Sequence, residues 1–335
     1  MRNRKFIISF ILLIITMPCT YGGCVVIFSN GDDDSNKKIA DNDSSGGFIG
    51  ITSQAAITPM NAEALAVGAF TGGQTSVASQ SSELNQRPNL TPINAFRPLR
   101  FPLALADSLR RIELDPARII FSRTTVINES GKFEGSCGGD FSYTLNFNRV
   151  TEKFSGNLSF RDYCDDGIII SGETDVDGSF EVSSGGFDTA TFLFGSLSDG
   201  SQTLDGEISL DFSDTPIMAS FTAYSTDEHT GRVYWIKDYS INLSELVGRM
   251  EIEVFGTFYH PDYGFVTLST LDPFIVHDED DRPASGRLVV QGDHNTRAQL
   301  IAIDQLHFGI EADPEASGIF DWDSGILNWN DSSTF

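Results

Sequence analysis

Cys137 to Cys164, CGGDFSYTLNFNRVTEKFSGNLSFRDYC, alternates twice between apolar and polar residues. Phe141, Tyr143, Leu145 and Phe147 share one parity, and Ser142, Thr144, Asn146 and Asn148 take the other. That is the period of a strand with one face in a core. Phe154, Gly156, Leu158 and Phe160 repeat the pattern against Ser155, Asn157, Ser159 and Arg161. Pairing Phe147 with Phe154, Tyr143 with Leu158 and Phe141 with Phe160 superimposes the two apolar faces, and a slip of one residue separates them. The same register sets Cys137 opposite Cys164, so the stretch reads as a hairpin closed by a disulfide.

Beyond this hairpin the chain is a succession of short alternating runs broken by Gly, Asp, Asn and Pro at intervals of about ten residues. Strands are expected at Ile119 to Ile127, Ile168 to Thr174, Thr189 to Leu197, Thr203 to Phe212, Ile217 to Tyr224, Arg232 to Leu243, Arg249 to Tyr259 and Gly264 to Leu271. Others follow at Arg287 to Gln291, Arg297 to Ile303 and His307 to Glu311. Ile319 to Trp322 and Ile326 to Trp329 are expected to form a terminal hairpin turning at Asp323-Ser324-Gly325, with Phe320 facing Trp329 and Trp322 facing Leu327. Short connections favour antiparallel neighbours. The fold expected is mainly β: an antiparallel meander forming a sandwich or a partly open barrel across residues 118–331.

Residues 55–117 carry two short helices that pack on the β body, separated by an irregular connector. The first runs from Ile57 to Phe70, with Thr58 as N-cap, Pro59 at the first helical position, and Ala62, Leu65, Ala66, Ala69 and Phe70 on one stripe. Gly72-Gly73 ends it. The second covers Pro102 to Glu113, where Leu105, Leu109 and Ile112 share a face. Between them, Thr71 to Leu99 is rich in Ser, Gln, Asn, Gly and Pro.

Residues 1–23 have the layout of a secretory signal: Arg2, Arg4 and Lys5, the apolar run Phe6 to Met17, then small residues. The run is too short to span a bilayer comfortably. Tyr21-Gly22-Gly23-Cys24 resembles a bacterial lipobox, with Tyr21 where leucine is usual, and implies cleavage before Cys24 and lipidation of its thiol, palmitate included. Val25 after the cysteine implies sorting to the outer membrane. Residues 24–54 then read as a lipid-anchor cysteine and an acidic tether, disordered and dispensable for folding over residues 29–47. Cleavage removes Cys19 and lipidation occupies Cys24, which leaves Cys137 and Cys164 as an even pair in an oxidising compartment.

The formal charge of the 335-residue chain is −25, and loss of the three cations in residues 1–23 takes it to −28. Such a surface argues against nucleic acid and anionic membrane surfaces as direct partners. A content of 40% hydrophobic residues with 26 Phe supports a sizeable core. A transmembrane barrel fits the alternation but not the polar run Asn330 to Thr334.

No Gly-x-Ser-x-Gly elbow, His-Glu-x-x-His site or phosphate-binding glycine loop is present, so no catalytic residue is nominated and no cofactor is implied. Asp313, Glu315, Ser317 and Asp321 place oxygen ligands at alternate positions around Gly318, as a calcium loop does, but Ser324 stands where a bidentate Glu belongs. Glu173, Asp175, Asp177 and Glu181 around Gly178 repeat the pattern, with Ser184 in the last position. A β-turn explains both more simply. His229, His260, His277, His294 and His307 read as turn residues, His277 to Pro283 as an acidic solvated loop, and Trp235, Trp322 and Trp329 as core rather than a sugar-stacking surface.

Cys137-Gly138-Gly139, Tyr163-Cys164-Asp165-Asp166-Gly167, Gly231-Arg232-Val233-Tyr234-Trp235, His260-Pro261-Asp262-Tyr263-Gly264 and Asp321-Trp322-Asp323-Ser324-Gly325 together resemble uncharacterised secreted or lipid-anchored β-rich proteins of Gram-negative bacteria. The resemblance spans Gly135 to Asp331 and implies no activity, so no functional residue is transferred from it. The expectation is a non-catalytic cell-envelope lipoprotein, a tethered binding or structural module anchored to a membrane by lipid, otherwise periplasmic or secreted. The alternatives are a carrier of an apolar ligand inside a partly open barrel and an enzyme acting on envelope polymers.

Overall fold

Alternation of apolar and polar side chains produces strands that follow one another in space as they do in sequence. A computed structural model describes residues 47–72, 97–112, 115–165, 168–213, 217–277, 280 and 282–329. The signal segment, Cys24, residues 29–46 of the tether and residues 73–96 of the connector lie outside the described residues. The strands are β1 (Val126–Glu134), β2 (Gly138–Asn148), β3 (Lys153–Asp165), β4 (Ile168–Phe180), β5 (Phe187–Ser198), β6 (Gln202–Asp211) and β7 (Ile217–Asp227). They continue as β8 (Val233–Leu246), β9 (Arg249–His260), β10 (Gly264–His277), β11 (Ser285–Gln291), β12 (Arg297–Ala302), β13 (His307–Asp313) and β14 (Trp322–Asn328). They make one 14-stranded antiparallel meander in strict sequence order, open between β1 and β14, and not a sandwich of two sheets.

The β2–β3 register matches the sequence reading over most of its length: Phe147 faces Phe154, Tyr143 faces Leu158 and Phe141 faces Phe160. Near the cysteines it shifts. A bulge on β3 at Asp162-Tyr163, opposite Gly139, sets Gly138, not Cys137, opposite Cys164. Gly139 and Asp162 take the left-handed conformation there, with φ of 62° and 47°. Cys137 and Cys164 are nevertheless bonded, with Cα atoms 5.1 Å apart, and the Cys137 amide donates to the Cys164 carbonyl at 3.1 Å.

Two strand expectations fail. Ile119 is not in a strand: Pro116–Phe121 is a helix, α3, and β1 begins only at Val126. Asp115 caps it by accepting from the Ala117 amide at 2.9 Å, and Pro116 supplies a preset φ, so the Asp-Pro start outweighs the β preference of Ile119 and Ile120. The terminal hairpin does not form either. Trp322–Asn328 is a single strand on β13, with Trp322 opposite Ala312 and Leu327 opposite Phe308. Ser324-Gly325 is a bulge, not a turn. Its glycine has φ of 74°, and the Ser324 hydroxyl accepts from the Ile310 amide at 3.0 Å. A bulge and a hairpin turn call for the same residues, and the β13 edge decided between them.

The two expected helices are present with other starts. Helix α1 (Ala62–Thr71) is preceded by Asn61, whose Oδ1 accepts from the Thr58 amide at 2.7 Å, so Thr58 belongs to a turn rather than to the cap. Gly72 closes it in the left-handed conformation. The expected stripe is buried, and so are Ala64, Val67 and Gly68 on the other sides. A helix buried all round must have small residues where it meets the sheet: a Cβ on Gly68 would lie 2.8 Å from the Phe258 ring. Helix α2 runs Arg97–Arg110, five residues ahead of the expected Pro102, with Phe101, Leu105, Leu109 and Ile112 buried.

Helix α1 packs on β9 to β13 and α2 on β4 and β6, so one sheet face receives both helices and must curl around them. The Tyr239 hydroxyl, from β8, donates to the Ala69 carbonyl at 2.9 Å and satisfies an acceptor that the end of α1 leaves open. Burial pushes this phenol well above its ordinary pKa. Bulges make such contacts available. After Asp238, with φ of 54°, the inward parity of β8 changes from Tyr234 and Ile236 to Tyr239 and Ile241. The outward parity carries polar residues from Asn146 on β2 to Ser220 on β7 and aromatic ones at Tyr224, Trp235, Tyr259 and Phe265.

Residues 47–55 form a strap across the rim. Phe48 is buried against Trp235 and Tyr259 on the outer face. Ile51 donates its amide to the Pro261 carbonyl at 3.0 Å, and Ala55 donates to Phe265 at 2.8 Å. Ala55 then accepts from the Asp293 amide at 2.7 Å, and the Ile57 amide donates to Thr296 Oγ1 at 2.9 Å, which takes the chain inward to α1.

Candidate functional site

Each strand sends alternate residues outward, and their registers align them into rows. One row runs from Asn146 on β2 through Ser155, Asp177, Thr191, Ser209 and Ser220 to Ser240 on β8. Two concavities open along it. The larger, about 620 Å³, spans β1 to β5 and is lined by Asn146, Lys153, Ser155, Asp177, Thr189 and Thr191 with their neighbours. The smaller, about 300 Å³, is lined by Glu207, Ser220, Thr222, Asp238 and Ser240 around the β8 bulge.

In the larger groove the two threonines are already engaged: the Thr189 hydroxyl lies 2.8 Å from that of Ser179, and that of Thr191 3.0 Å from that of Ser209. The side chains of Asn146, Lys153, Ser155 and Asp177 are exposed and, among the described residues, have no hydrogen-bond or ion-pair partner. The groove therefore offers an amide, a hydroxyl, an ammonium and a carboxylate to a ligand. The sequence contained every one of these residues, but a row across strands needs a register for each pair, and the bulges hide those registers.

The sequence-nominated residues are placed differently. Asp313 is fully buried and holds its own loop: its carboxylate accepts from the Ser317 and Gly318 amides at 2.8 Å each and from the Arg297 guanidinium at 2.9 Å. Arg297 holds this carboxyl below its ordinary pKa, helped by the two amides. Ser317 joins the cluster through its hydroxyl at 3.2 Å, whereas Glu315 and Asp321 remain exposed. Among the described residues no group of three or more His, Cys, Asp or Glu side chains gathers as a metal site. Glu173, Asp175 and Asp177 lie along β4, a continuous strand rather than a loop. Of the acidic run after His277, residues 278, 279 and 281 lie outside the described residues.

Trp329 is core, stacked on Phe308 with ring centroids 4.3 Å apart, its Nε1 donating to the Asp304 carbonyl at 3.2 Å. Trp235 is not in the interior. It sits on the outer face in a ladder of Tyr224, Trp235, Tyr259 and Phe265, with Phe48 laid over it. Trp322 is half-buried.

Two polar groups inside the sheet escaped the sequence reading. His260 is buried against Tyr234, Phe258 and Tyr263 and is no surface turn residue. Its Nδ1 accepts from the Asp262 amide at 3.2 Å, and burial lowers its pKa to about 4 against the partial support of Asp262. Tyr163 donates to Asp165 at 3.3 Å, and Arg111 pairs with the same carboxylate, which ties the end of α2 to β3.

Fold and face together define an open antiparallel meander with helices packed on one face and two polar grooves on the other. Comparison with protein-family models, with curated proteins and with solved structures finds no match.

Proposed function

We propose that this chain is a non-catalytic binding module of the cell envelope, anchored by lipid on Cys24 and working through its outer face. The carrying observation is the groove across β1 to β5, where four polar side chains face solvent with no partner among the described residues. Among the described residues, the packing between helices and sheet weighs against the carrier alternative. The gap between α1, α2 and the sheet at Phe101, Leu204, Phe221 and Ile236 leaves about 0 Å³ for even a water-sized sphere, against the roughly 300 Å³ or more of ordinary ligand pockets. Palmitate labelling of cells expressing the chain or its Cys24→Ala variant, followed by membrane fractionation, tests the anchor. Label and membrane association should both vanish in the variant, and their absence from the parent chain overturns the reading.

An enzyme acting on envelope polymers is the second reading, and it rests on Glu207 and Asp238 lining the smaller groove. It requires release of reducing ends from a polysaccharide, abolished in Glu207→Gln.

A further inference from the structure

We propose that the larger outer groove binds a saccharide chain lying across the strands, over Asn146, Ser155, Asp177 and Thr191. The inference deepens the reading that the outer face is the binding face. The groove's free groups are of the kind that read hydroxyls. The Asn146 amide and the Ser155 hydroxyl each donate and accept, Lys153 only donates, and Asp177 only accepts. A sugar ring offers donors and acceptors in alternation and matches such a set. One ammonium and one carboxylate leave the groove close to neutral, so neither a polyanion nor a divalent cation is favoured by it, and a chain of formal charge −25 opposes polyanions at long range.

The spacing fits as well. Neighbouring strands lie about 4.8 Å apart, close to the length of one unit of an extended polysaccharide, so successive sugars meet successive strands. The row continues through Ser209 and Ser220 to Ser240 and the smaller groove, which gives a longer chain further contacts. Exposed Val126 at the groove's rim offers an apolar surface for the C–H face of a ring.

Calorimetric titration of the mature chain with the neutral oligosaccharides chitohexaose, cellohexaose and maltohexaose tests this. Saturable binding to at least one is expected, weaker for its trimer where a shorter form exists. Asn146→Ala combined with Asp177→Ala should weaken it about tenfold, the scale of two lost hydrogen bonds, without lowering the melting midpoint, because neither side chain has a partner among the described residues. Asn242→Ala, on the same face but outside the groove, should bind as the parent does. No binding of any of the three at millimolar concentration, or binding unchanged in the double variant, overturns the proposal. The outcome is independent of palmitate labelling, so a failed anchor and a failed site are told apart.

Discussion

His260 is the clearest case of a residue whose behaviour follows from its surroundings. Burial lowers its pKa from 6.5 to about 4, so the folded protein holds it neutral while the unfolded chain protonates it below about pH 6.5. Its stabilising contribution is complete above that pH and is lost as pH falls through about 4. A shift of this size corresponds to on the order of 3 kcal/mol at most. Urea unfolding at pH 7 and at pH 4.5 should therefore show a smaller stability difference for His260→Leu than for the parent chain. Equal differences would show that protonation of His260 is not resisted by the fold. In sequence the residue precedes Pro261 and Asp262 and looks like part of a turn. Its ring lies inward because β9 ends on an inward parity, beneath Tyr234 and Tyr263.

At the scale of elements, the β2–β3 hairpin was read nearly in full because both faces carry unbroken alternation. The bulge at Asp162 on β3 was not, since a bulge adds one residue without changing composition. The disulfide survives it because the shift of one residue leaves the two Cα atoms 5.1 Å apart. Cys137→Ala with Cys164→Ala opens a loop whose ends are 27 residues apart and should cost roughly 3 kcal/mol in the chain-entropy model. Chemical denaturation of protein exported by its native route measures it, and a loss near zero would show that the strand pairing alone closes this loop. Helix α1 shows the opposite balance. Its stripe was legible, but a run of Ala and Gly with little amphipathic contrast says nothing about being enclosed. Gly68→Val should destabilise by about 1–3 kcal/mol, as overpacking against Phe258 does, measured by the same denaturation. An unchanged midpoint would mean that helix and sheet separate readily.

For the whole molecule, the strap fixes where the body starts, and the compact unit runs from Ser45 to Phe335. A chain beginning at Phe48 should melt with the mature protein, since it retains the ring on Trp235 and Tyr259. A chain beginning at Ile57 loses that ring, worth about 1.5–3 kcal/mol when fully buried, together with the strap's hydrogen bonds at Ile51 and Ala55. Its midpoint should fall by several degrees. Equal midpoints for the two truncations would show that the strap contributes nothing to the body.

Local pattern by itself determined the β class, the succession of antiparallel neighbours, most strand positions, the central register and the cysteine pair, because each depends on residues near in sequence or on a period of two. Tertiary structure alone decided how far each strand runs, where parity changes at Asp162 and Asp238, and that Ser324-Gly325 bulges instead of turning. It also decided that the helices fill the curl and that Asn146, Lys153, Ser155 and Asp177 share a groove. Those outcomes depend on pairing and curvature summed over many strands, and a residue's own neighbours in sequence carry no record of that sum.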